Sequence, residues 1–472
     1  MTSWSWRPAL SFVRGHARAL SGTLAAMSRR PHLPVLAASV LGAASLVMLA
    51  CQSDDEVLRA GPLEGETATP PLSPATERAS DDLQRRFVPP PHSPATLPTD
   101  SERQVATWLD DLDTDGLLGQ LLMLRVYGGE IDEADPRNEA RYGVATPREV
   151  IEAYRPGGVI LFRSDAGADT GNLRDPAQVR AFTDDLREVS GRLGPPVTVA
   201  IDQEGGKVDR IGHFGTPYPT ARELDQDPDA AAAHAEVTVT ELAALGIDMN
   251  FAPVADVDSE AANPIIGDRA YSADPDVVAE MVLAKLERYA DHPVVPVLKH
   301  FPGHGDTTED SHHTLPVVEA DRDLLATREL VPFAAAIDAG AQVIMTAHIE
   351  LPEVAGPGVP ASMSPDVVTD LLRDELGYDG LVVTDSLEMA GARDDRADTR
   401  VALDALLAGH DLLVLPPAPA RSLAALEQAV GAGDLDEDQV AASVQRLMEV
   451  KVDLQPAGPR PDPDVVGSGG AR

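Results

Sequence analysis

The chain has 472 residues, with 38 Lys and Arg against 77 Asp and Glu, and a formal net charge of −39. This charge argues against nucleic acid or an anionic membrane surface as a partner bound through bulk charge. The single cysteine, Cys51, excludes an internal disulfide framework and a cysteine-rich metal site. The length accommodates two or three average domains, or one α/β barrel of about 250 residues or more.

The N-terminal segment has the pattern of an export signal. Arg29 and Arg30 precede an apolar run over 33–50, which ends at Cys51. A charged region followed by an apolar region and a small residue is typical of a secretory signal, and a cysteine directly after them resembles a bacterial lipoprotein signal. We therefore expect 1–50 to be a signal segment and Cys51 to be lipidated, giving an exported lipoprotein anchored to a membrane in the periplasm or at the cell surface. A transmembrane anchor is the alternative, which the shortness of the run disfavours.

Residues 51–101 are predicted to form a disordered tether. The stretch 52–100 contains nine prolines among Ser, Thr and acidic residues and has no apolar periodicity. Such a segment lets a folded domain stand away from the membrane that holds its lipid. A second segment rich in Pro, Gly and Asp, 456–472, is predicted to be a disordered tail.

Between these segments, over 102–455, short apolar runs alternate with longer amphipathic stretches. Helical patterns such as 276–289 and 324–337 separate the runs, and Pro332 is expected to kink or restart the second helix, which Gly340 stops. The runs are 120–126, 159–162, 197–201, 249–254, 294–298, 343–346, 381–384 and 412–415. Eight strands alternating with helices predict an α/β fold with a single catalytic domain, a (β/α)8 TIM-type barrel; a doubly wound sheet is the alternative.

Polar side chains follow five of the eight runs, within two residues of the end of each run. In chain order they are Asp202, Asp256, Lys299 with His300, His348 and Asp385. The carboxyl ends of barrel strands converge on one face, where the active sites of barrel enzymes lie. Five coincidences of this kind favour an enzyme over a set of solvated loops.

The most concentrated polar stretch is Lys299–Pro316, which holds four of the chain's 12 histidines. Closely spaced His, Asp and Glu side chains are metal-ligand types. However, His300 and His304 enclose Pro302 and Gly303, so the two imidazoles cannot stand one helical turn apart as zinc-hydrolase motifs require. We therefore predict no metal site in this stretch.

Two interpretations of the same stretch remain. It is either a surface loop with solvated histidines or part of a general acid/base site. In the second case, Asp310 orients His312 and holds its proton near the working pH. That chemistry needs further reacting groups elsewhere in the chain.

Six motifs together resemble those of family 3 glycoside hydrolases in the β-N-acetylglucosaminidase branch. They are Ile201–Arg210, Asn250–Val254, Gly267–Ser272, Lys299–Asp306, Asp310–His312 and Thr384–Met389. The resemblance extends over about 102–454. Its Asp-Ser-His element, together with Lys-His-Phe-Pro-Gly-His-Gly, separates this branch from the family's β-glucosidases, which usually take their proton donor from a second domain.

The resemblance implies catalytic roles for three residues. Asp385 matches the family nucleophile, His312 matches the proton donor and acceptor of this branch, and Asp310 matches the partner that orients His312. A retaining glycosidase needs a nucleophile and a proton donor on opposite sides of the anomeric carbon. A helix cap is the alternative role for Asp385.

The resemblance also implies a set of residues that bind the hydroxyl groups of the sugar. This sugar-binding set is Asp202, Arg210, Arg269, Lys299 and His300. Charged side chains that can form bidentate bonds suit the many donors and acceptors of a sugar. For the two arginines, a structural ion pair is the alternative. Asp256 and His348 are expected to support the loops, and His304 and His313 remain unassigned.

The implied activity is that of a retaining exo-β-N-acetylglucosaminidase. It would release terminal β-linked N-acetylglucosamine from cell-wall fragments or chitin-type oligosaccharides, through a covalent intermediate on Asp385 and without a cofactor. The expected partner is an oligosaccharide, bound by a monomer. A β-glucosidase or a β-glycoside phosphorylase on the same barrel is an alternative, because a histidine donor does not repel phosphate as a carboxylate does. A second alternative is a non-catalytic lipoprotein that binds cell-wall sugar. This alternative is disfavoured by the joint presence of Asp310, His312 and Asp385.

Overall fold

The computed structural model describes residues 99–165, 167–393, 396–455 and 459–468. The predicted signal segment, the lipidation site Cys51 and all but the end of the tether lie outside the described residues. The first described helix begins after Thr99, whose side chain accepts from the backbone of Glu102 while the Glu102 side chain accepts from the backbone of Thr99. Within the described ranges, no helix is both long enough and apolar enough to cross a membrane.

Eight parallel strands form the central sheet. In chain order the described strands are β1 Leu122–Leu124, β2 Gly158–Leu161, β3 Ser164–Asp165, β4 Ala168–Asp169, β5 Thr198–Ile201, β6 Met249–Asn250, β7 Val295–Phe301, β8 Val343–Thr346, β9 Leu381–Thr384 and β10 Leu413–Val414. The order in the central sheet is β10-β1-β2-β5-β6-β7-β8-β9. Val383 of β9 forms a parallel bridge with Leu412, next to β10, so the two ends of the order meet. The sheet is therefore a barrel, which confirms the predicted (β/α)8 fold. The short β3 and β4 form a separate antiparallel pair.

Each predicted apolar run contains or overlaps one barrel strand. All four residues of β5, β8 and β9 are buried, as expected for parallel strands covered on both faces. The largest difference is at β7, which continues past Leu298 to Phe301. Its register against β8 shifts between these two residues. Lys299 and His300, which were expected to follow the end of this strand, are therefore strand residues.

Helices surround the sheet. They are α1 Asp100–Asp110, α2 Thr114–Gln120, α3 Pro136–Tyr142, α4 Pro147–Tyr154, α5 Pro176–Gly191, α6 Pro228–Ala244, α7 Pro275–Tyr289, α8 Arg322–Leu324, α9 Leu330–Asp338, α10 Pro352–Ala355, α11 Ala390–Arg393, α12 Asp398–Ala408, α13 Pro419–Ala432 and α14 Glu437–Asp453, with π-helical turns over Leu325–Glu329 and Asp366–Glu375 and 3-10 turns over Arg222–Leu224, Gly267–Arg269, Ala361–Met363 and Pro463–Val465. Four helices start with an Asp-Pro pair, at α3, α5, α6 and α7. The Asp carboxylate caps free backbone N–H groups, and the Pro occupies a position that needs no N–H.

The two predicted helices are present with adjusted bounds. The pattern over 276–289 corresponds to α7. The pattern over 324–337 is interrupted ahead of Pro332, because a π-helical turn ends at Glu329 and α9 begins at Leu330. Pro332 lies in the first turn of α9, where a missing N–H costs little. Gly340 follows α9 with a φ of 86°, a left-handed conformation that stops the helix.

The predicted disordered tail needs correction for residues 459–468, which contact the barrel. Arg460 Nη2 lies 2.5 Å from Oδ1 of Asp248. The backbone N–H of Gly467 donates to Oε1 of Glu241 at 2.8 Å. Both carboxylates are buried. The composition of the tail gave no sign of this contact, because the tail attaches through polar bonds to buried acids and not through an apolar face of its own.

Candidate active site

A cavity of about 430 Å³ lies at the carboxyl ends of the barrel strands. Asp202 follows β5, Lys299 and His300 lie in β7 just before its last residue, and Asp385 follows β9. The predicted site residues that line the cavity are Asp202, Arg210, Arg269, Lys299, His300, His312 and Asp385. Asp310 does not line the cavity itself but is hydrogen-bonded to His312, which does. The barrel therefore brings together every predicted catalytic and sugar-binding residue.

Asp385 is held by backbone bonds at the end of β9. Its N–H donates to the carbonyl of Thr346 at 3.1 Å, and its Oδ1 accepts from the N–H of Ser386 at 2.6 Å. Burial alone would raise the pKa of Asp385, but the nearby His300 and His348 rings and the Ser386 bond lower it below its ordinary value. The carboxylate is therefore ionised near neutral pH. The cap alternative is not supported, because α11 begins only at Ala390.

His312 and Asp310 form a carboxylate–imidazole pair. Oδ1 of Asp310 lies 2.8 Å from Nδ1 of His312 and also accepts the His312 backbone N–H at 2.9 Å. Burial would raise the pKa of Asp310, and these two hydrogen bonds outweigh it, so that the pKa is below its usual range. The charged carboxylate accepts from Nδ1 and so fixes the proton of the neutral ring on that nitrogen. Nε2 is thus the atom that gains or loses a proton in a reaction.

Lys299 is buried between two carboxylates. Its Nζ lies 2.7 Å from Oδ1 of Asp202 and 2.6 Å from Oε1 of Glu204. Burial would lower the pKa of Lys299, but Asp202 and Glu204 raise it above its ordinary value. The ammonium group therefore stays charged at the base of the cavity, where it has one further proton to donate.

Glu204 was not selected from the sequence, although it stands in the same strand-end cluster as Asp202. Its two oxygens accept from Nε and Nη2 of Arg269, both at 2.8 Å. Burial would raise the pKa of Glu204, but Arg269 and Lys299 hold it well below its usual range. Arg269 thus forms the structural ion pair that was the alternative to a sugar-binding role, and its side chain also lines the cavity.

Arg210 is less fully paired than Arg269. Its Nη2 is 3.8 Å from Oδ2 of Asp202, and its guanidinium lies over the Phe162 ring at 6.0 Å. Its Nε is buried without a hydrogen-bond partner among the described residues. The side chain of Gln203 accepts the Arg210 backbone N–H at 2.8 Å, which fixes the loop. Arg210 therefore has donors available for a ligand.

The ion network at the cavity wall was missed by sequence reasoning. Arg125, one residue after β1, places Nη1 2.7 Å from Asp165 and Nη2 2.5 Å from Glu388. Arg141 also pairs with Glu388. Glu388 stands three residues after Asp385, so the network joins the start of the barrel to the loop of the predicted nucleophile. The sequence did contain an indication of this network, because Arg125 is a charged residue near the end of an apolar run.

Asp256 and His348 hydrogen-bond to residues around the cavity, which fits the supporting role expected of them. Nδ1 of His300 lies 2.6 Å from Oδ2 of Asp256. His348 contacts Ser362 Oγ at 2.7 Å through Nδ1 and the carbonyl of Ser386 at 3.1 Å through Nε2. Burial lowers the pKa of His348, and its two hydrogen bonds hold the backbone beside the cavity. In the part of the chain that the structure describes, no group of three or more His, Cys, Asp or Glu side chains is arranged to hold a metal ion.

A closed parallel barrel with a carboxylate after β9 and a carboxylate–imidazole pair at the same cavity has the architecture of a (β/α)8 barrel enzyme. Residues 114–450 match the glycosyl hydrolase family 3 N-terminal domain. The chain belongs to glycoside hydrolase family 3.

Named relatives are similar over most of the chain. Beta-hexosaminidase A of Pseudoalteromonas piscicida is 36% identical over 382 residues, which cover 73% of this chain and 62% of that relative. A solved family 3 β-N-acetylglucosaminidase from Paenibacillus sp. str. FPU-7 has a TM-score of 0.67 at 36% identity, over 74% of this chain and 64% of that one. The chain thus spans less than two thirds of both relatives. A family 3 glycosyl hydrolase from Mycobacterium smegmatis has a TM-score of 0.62 at 31% identity, over 75% of this chain and 99% of that one.

Proposed function

We propose that the chain is a retaining exo-β-N-acetylglucosaminidase that releases terminal β-linked N-acetylglucosamine from cell-wall fragments or chitin-type oligosaccharides. The observation that carries the proposal is that Asp385 and His312 line one cavity, with Asp310 bonded to His312. The names of the relatives, beta-hexosaminidase and β-N-acetylglucosaminidase, support the sugar.

In the first step, the Asp385 carboxylate attacks the anomeric carbon and forms a glycosyl ester. The imidazolium of His312 gives its Nε2 proton to the departing oxygen, so the leaving group departs as a neutral alcohol. The Asp310 carboxylate stabilises the imidazolium before transfer and keeps the ring oriented after it. Two inversions at one carbon give net retention of configuration.

In the second step, neutral His312 removes a proton from water as the water oxygen attacks the anomeric carbon. The ester bond breaks, Asp385 leaves as a carboxylate, and His312 returns to the imidazolium form. The same ring therefore acts as acid and then as base, as microscopic reversibility requires. All the groups in this cycle are side chains of the barrel.

The sugar-binding set is proposed to hold the terminal sugar against Asp385. Arg210 has free donors, and Lys299 retains one proton beyond its two carboxylate contacts. Asp202 offers carboxylate oxygens to sugar hydroxyls. Arg269 and His300 are proposed to contribute from their paired positions, with Glu204 holding Arg269 in place.

The experiment is turnover of an aryl β-N-acetylglucosaminide by Asp385→Asn. The amide has the shape of the carboxylate but is not a nucleophile, so kcat should fall by about 10³-fold or more. Asp379→Asn is the matched control, because Asp379 is exposed and precedes the same strand, β9. Near wild-type turnover by Asp385→Asn would contradict the proposal.

Phosphorolysis on the same barrel is the second candidate, favoured by the histidine proton donor, which does not repel phosphate. Products formed with and without phosphate distinguish the two reactions: a sugar phosphate indicates phosphorolysis, and the free sugar indicates hydrolysis. An aryl β-glucoside compared with the N-acetyl substrate tests the β-glucosidase alternative.

The cellular location is also proposed, from the signal pattern alone. We infer that the chain is exported and anchored through lipid on Cys51. Labelled fatty acid should be incorporated into the full chain expressed in a bacterium and not into a Cys51→Ser variant. Equal labelling of both would contradict the anchor.

A further inference from the structure

We propose that His304 is a positioning residue that fixes the proton donor His312 through a hydrogen bond to Ser311. This inference rests on the proposed function and concerns a histidine that the sequence left unassigned. His304 and Ser311 both line the cavity, and both are buried, at 2% exposure. Nε2 of His304 lies 2.9 Å from Oγ of Ser311, the residue before His312.

The hydrogen bonds of His304 determine its tautomer. The Thr307 hydroxyl donates its only proton to the carbonyl of His304 at 3.1 Å. Thr307 Oγ1 must therefore accept from Nδ1 of His304, which lies 3.0 Å away. With the proton of the neutral ring on Nδ1, Nε2 is an acceptor, and the Ser311 hydroxyl donates to it. Burial together with the nearby His300 ring lowers the pKa of His304 to about 4, so the ring is neutral at working pH.

His304 itself is held on three sides. Its backbone N–H donates to Oδ1 of Asp256 at 2.8 Å. The side-chain amide of Asn263 donates to the His304 carbonyl at 3.0 Å and to the Thr307 hydroxyl at 3.2 Å. The imidazole is thus a fixed acceptor, and the bond from Ser311 transmits its position to the loop that carries the proton donor.

Ser311 is the residue at which that loop is attached. Besides its side-chain bond, its carbonyl accepts from the N–H of Gly391 at 3.0 Å. The side chain of His312, by contrast, is 54% exposed and is oriented by Asp310 on the same loop. Asp310 sets the direction of the ring relative to the loop, whereas Ser311 sets the place of the loop relative to Asp385. Misplacing a catalytic group by about 1 Å can cost about a hundredfold in rate.

A defect in the position of the proton donor has a specific kinetic signature. A phenyl leaving group, with a pKa of about 10, needs protonation as it departs, whereas the strongly acidic 2,4-dinitrophenol does not. The ratio of kcat/KM for the phenyl substrate to kcat/KM for the 2,4-dinitrophenyl substrate, both β-N-acetylglucosaminides, therefore measures how well the enzyme protonates the leaving group. Losses in sugar binding or in the nucleophile lower both values and cancel in the ratio. A residue that only stabilises the fold lowers both values equally.

The test uses the full chain with Ser311→Ala and His304→Leu. Each removes one side of the bond, and each should lower kcat/KM for the phenyl substrate about tenfold or more while changing that for the 2,4-dinitrophenyl substrate less than about threefold. His304→Gln, whose amide oxygen can accept from Ser311, should recover part of the loss. Ser311→Ala removes only a hydroxyl group and should fold, so this variant still tests the hydrogen bond if His304→Leu does not fold.

A double variant separates positioning from general damage. In the His312→Ala background, where no donor is left to position, Ser311→Ala should add less than about a twofold change on the phenyl substrate. Equal losses on both substrates, unchanged kcat/KM on both, or full additivity with His312→Ala would overturn the inference. If wild type hydrolyses neither substrate, or His312→Ala shows no leaving-group dependence, the proposed function fails with it. If those controls behave as expected but Ser311→Ala lowers kcat/KM equally for the phenyl and 2,4-dinitrophenyl substrates, only the role of His304 and Ser311 is refuted and the proposed function stands.

Discussion

Nδ1 of His300 lies 2.6 Å from Oδ2 of Asp256, and Oδ1 of the same carboxylate accepts the backbone N–H groups of His300 at 3.1 Å and His304 at 2.8 Å. Asp256 is fully buried. One side chain thus holds both ends of the turn that carries two cavity histidines. Burial would raise the pKa of Asp256, but His300 and the hydrogen bonds lower it, so it remains charged.

Asp256→Asn should be costly to stability and activity. The amide keeps one acceptor but turns an NH₂ donor or a weaker acceptor toward His300, which leaves a buried polar group poorly paired. We expect the free energy of unfolding to fall by about 3 kcal/mol and kcat/KM to fall about tenfold or more. Urea denaturation and steady-state kinetics measure the two effects. Asp291→Asn is the control, because Asp291 is exposed and precedes β7, the strand that carries His300; it should change neither quantity. A stable, fully active Asp256→Asn would contradict this role of Asp256.

The barrel was predictable because its strands are buried on both faces. Most of the strands therefore appear in the sequence as apolar runs, and a polar residue after the run marks the carboxyl end. Asp202 and Asp385 were found by this rule. Arg125 obeys it too but was absorbed into the first run, which was drawn as far as residue 126 although β1 ends at Leu124.

Other features depend on contacts between distant residues. Lys299 and His300 looked like residues beyond the end of a strand because they are polar, yet they pair with Asp202 and Asp256 inside the barrel and β7 continues through them. Glu204 became recognisable only when Arg269, 65 residues later, was found beside it. No local pattern encodes such pairs.

The pKa of Glu329 predicts a pH-dependent stability. Its side chain is fully buried, Oε1 lies 2.6 Å from Nε of Arg328, and Oε2 has no partner among the described residues. Burial raises the pKa from 4.5 to about 7, because Arg328, which also pairs with Asp306, only partly offsets it. The folded-state pKa exceeds the unfolded one, so this group's contribution is fully present below about pH 4.5 and is lost as pH rises through about 7.

Glu329→Gln cannot ionise and should escape that loss. Relative to wild type, its free energy of unfolding should increase between pH 4.5 and pH 8 by up to about 3 kcal/mol. Denaturation at the two pH values measures the difference. The exposed Glu319→Gln should follow wild type at both. A pH-independent difference between Glu329→Gln and wild type would show that the carboxyl does not titrate in this range.

Gly391 is packed too tightly for a side chain. A Cβ at this position would lie 3.0 Å from the carbonyl oxygens of His348 and Thr314. Gly391→Ala should therefore push α11 away from Ser311 and lower the free energy of unfolding by about 1–3 kcal/mol. Gly431→Ala is the matched control: it lies in α13 with nothing within 4 Å of the new Cβ, and it should be stabilising by about 0.5–1 kcal/mol. Thermal melts of the two variants that shift in the same direction would refute this packing argument.

The tail should contribute to stability without affecting catalysis. Arg460 and Arg187 both pair with Asp248, which immediately precedes β6 and so lies at the end of the barrel opposite the cavity. Arg460→Ala leaves the buried carboxylate with Arg187 as its one ion-pair partner and should lower the free energy of unfolding by about 1–3 kcal/mol. Since no cavity residue moves, kcat/KM for an aryl β-N-acetylglucosaminide should stay within about twofold of wild type.

Arg421→Ala is the control variant. It removes an exposed ion pair, in which the arginine side chain is 69% exposed, and should lower the free energy of unfolding by less than about 0.5 kcal/mol. Equal melting temperatures for Arg460→Ala and Arg421→Ala would mean that the tail contact adds nothing, whereas a loss of kcat/KM in Arg460→Ala would mean that the two ends of the barrel are coupled.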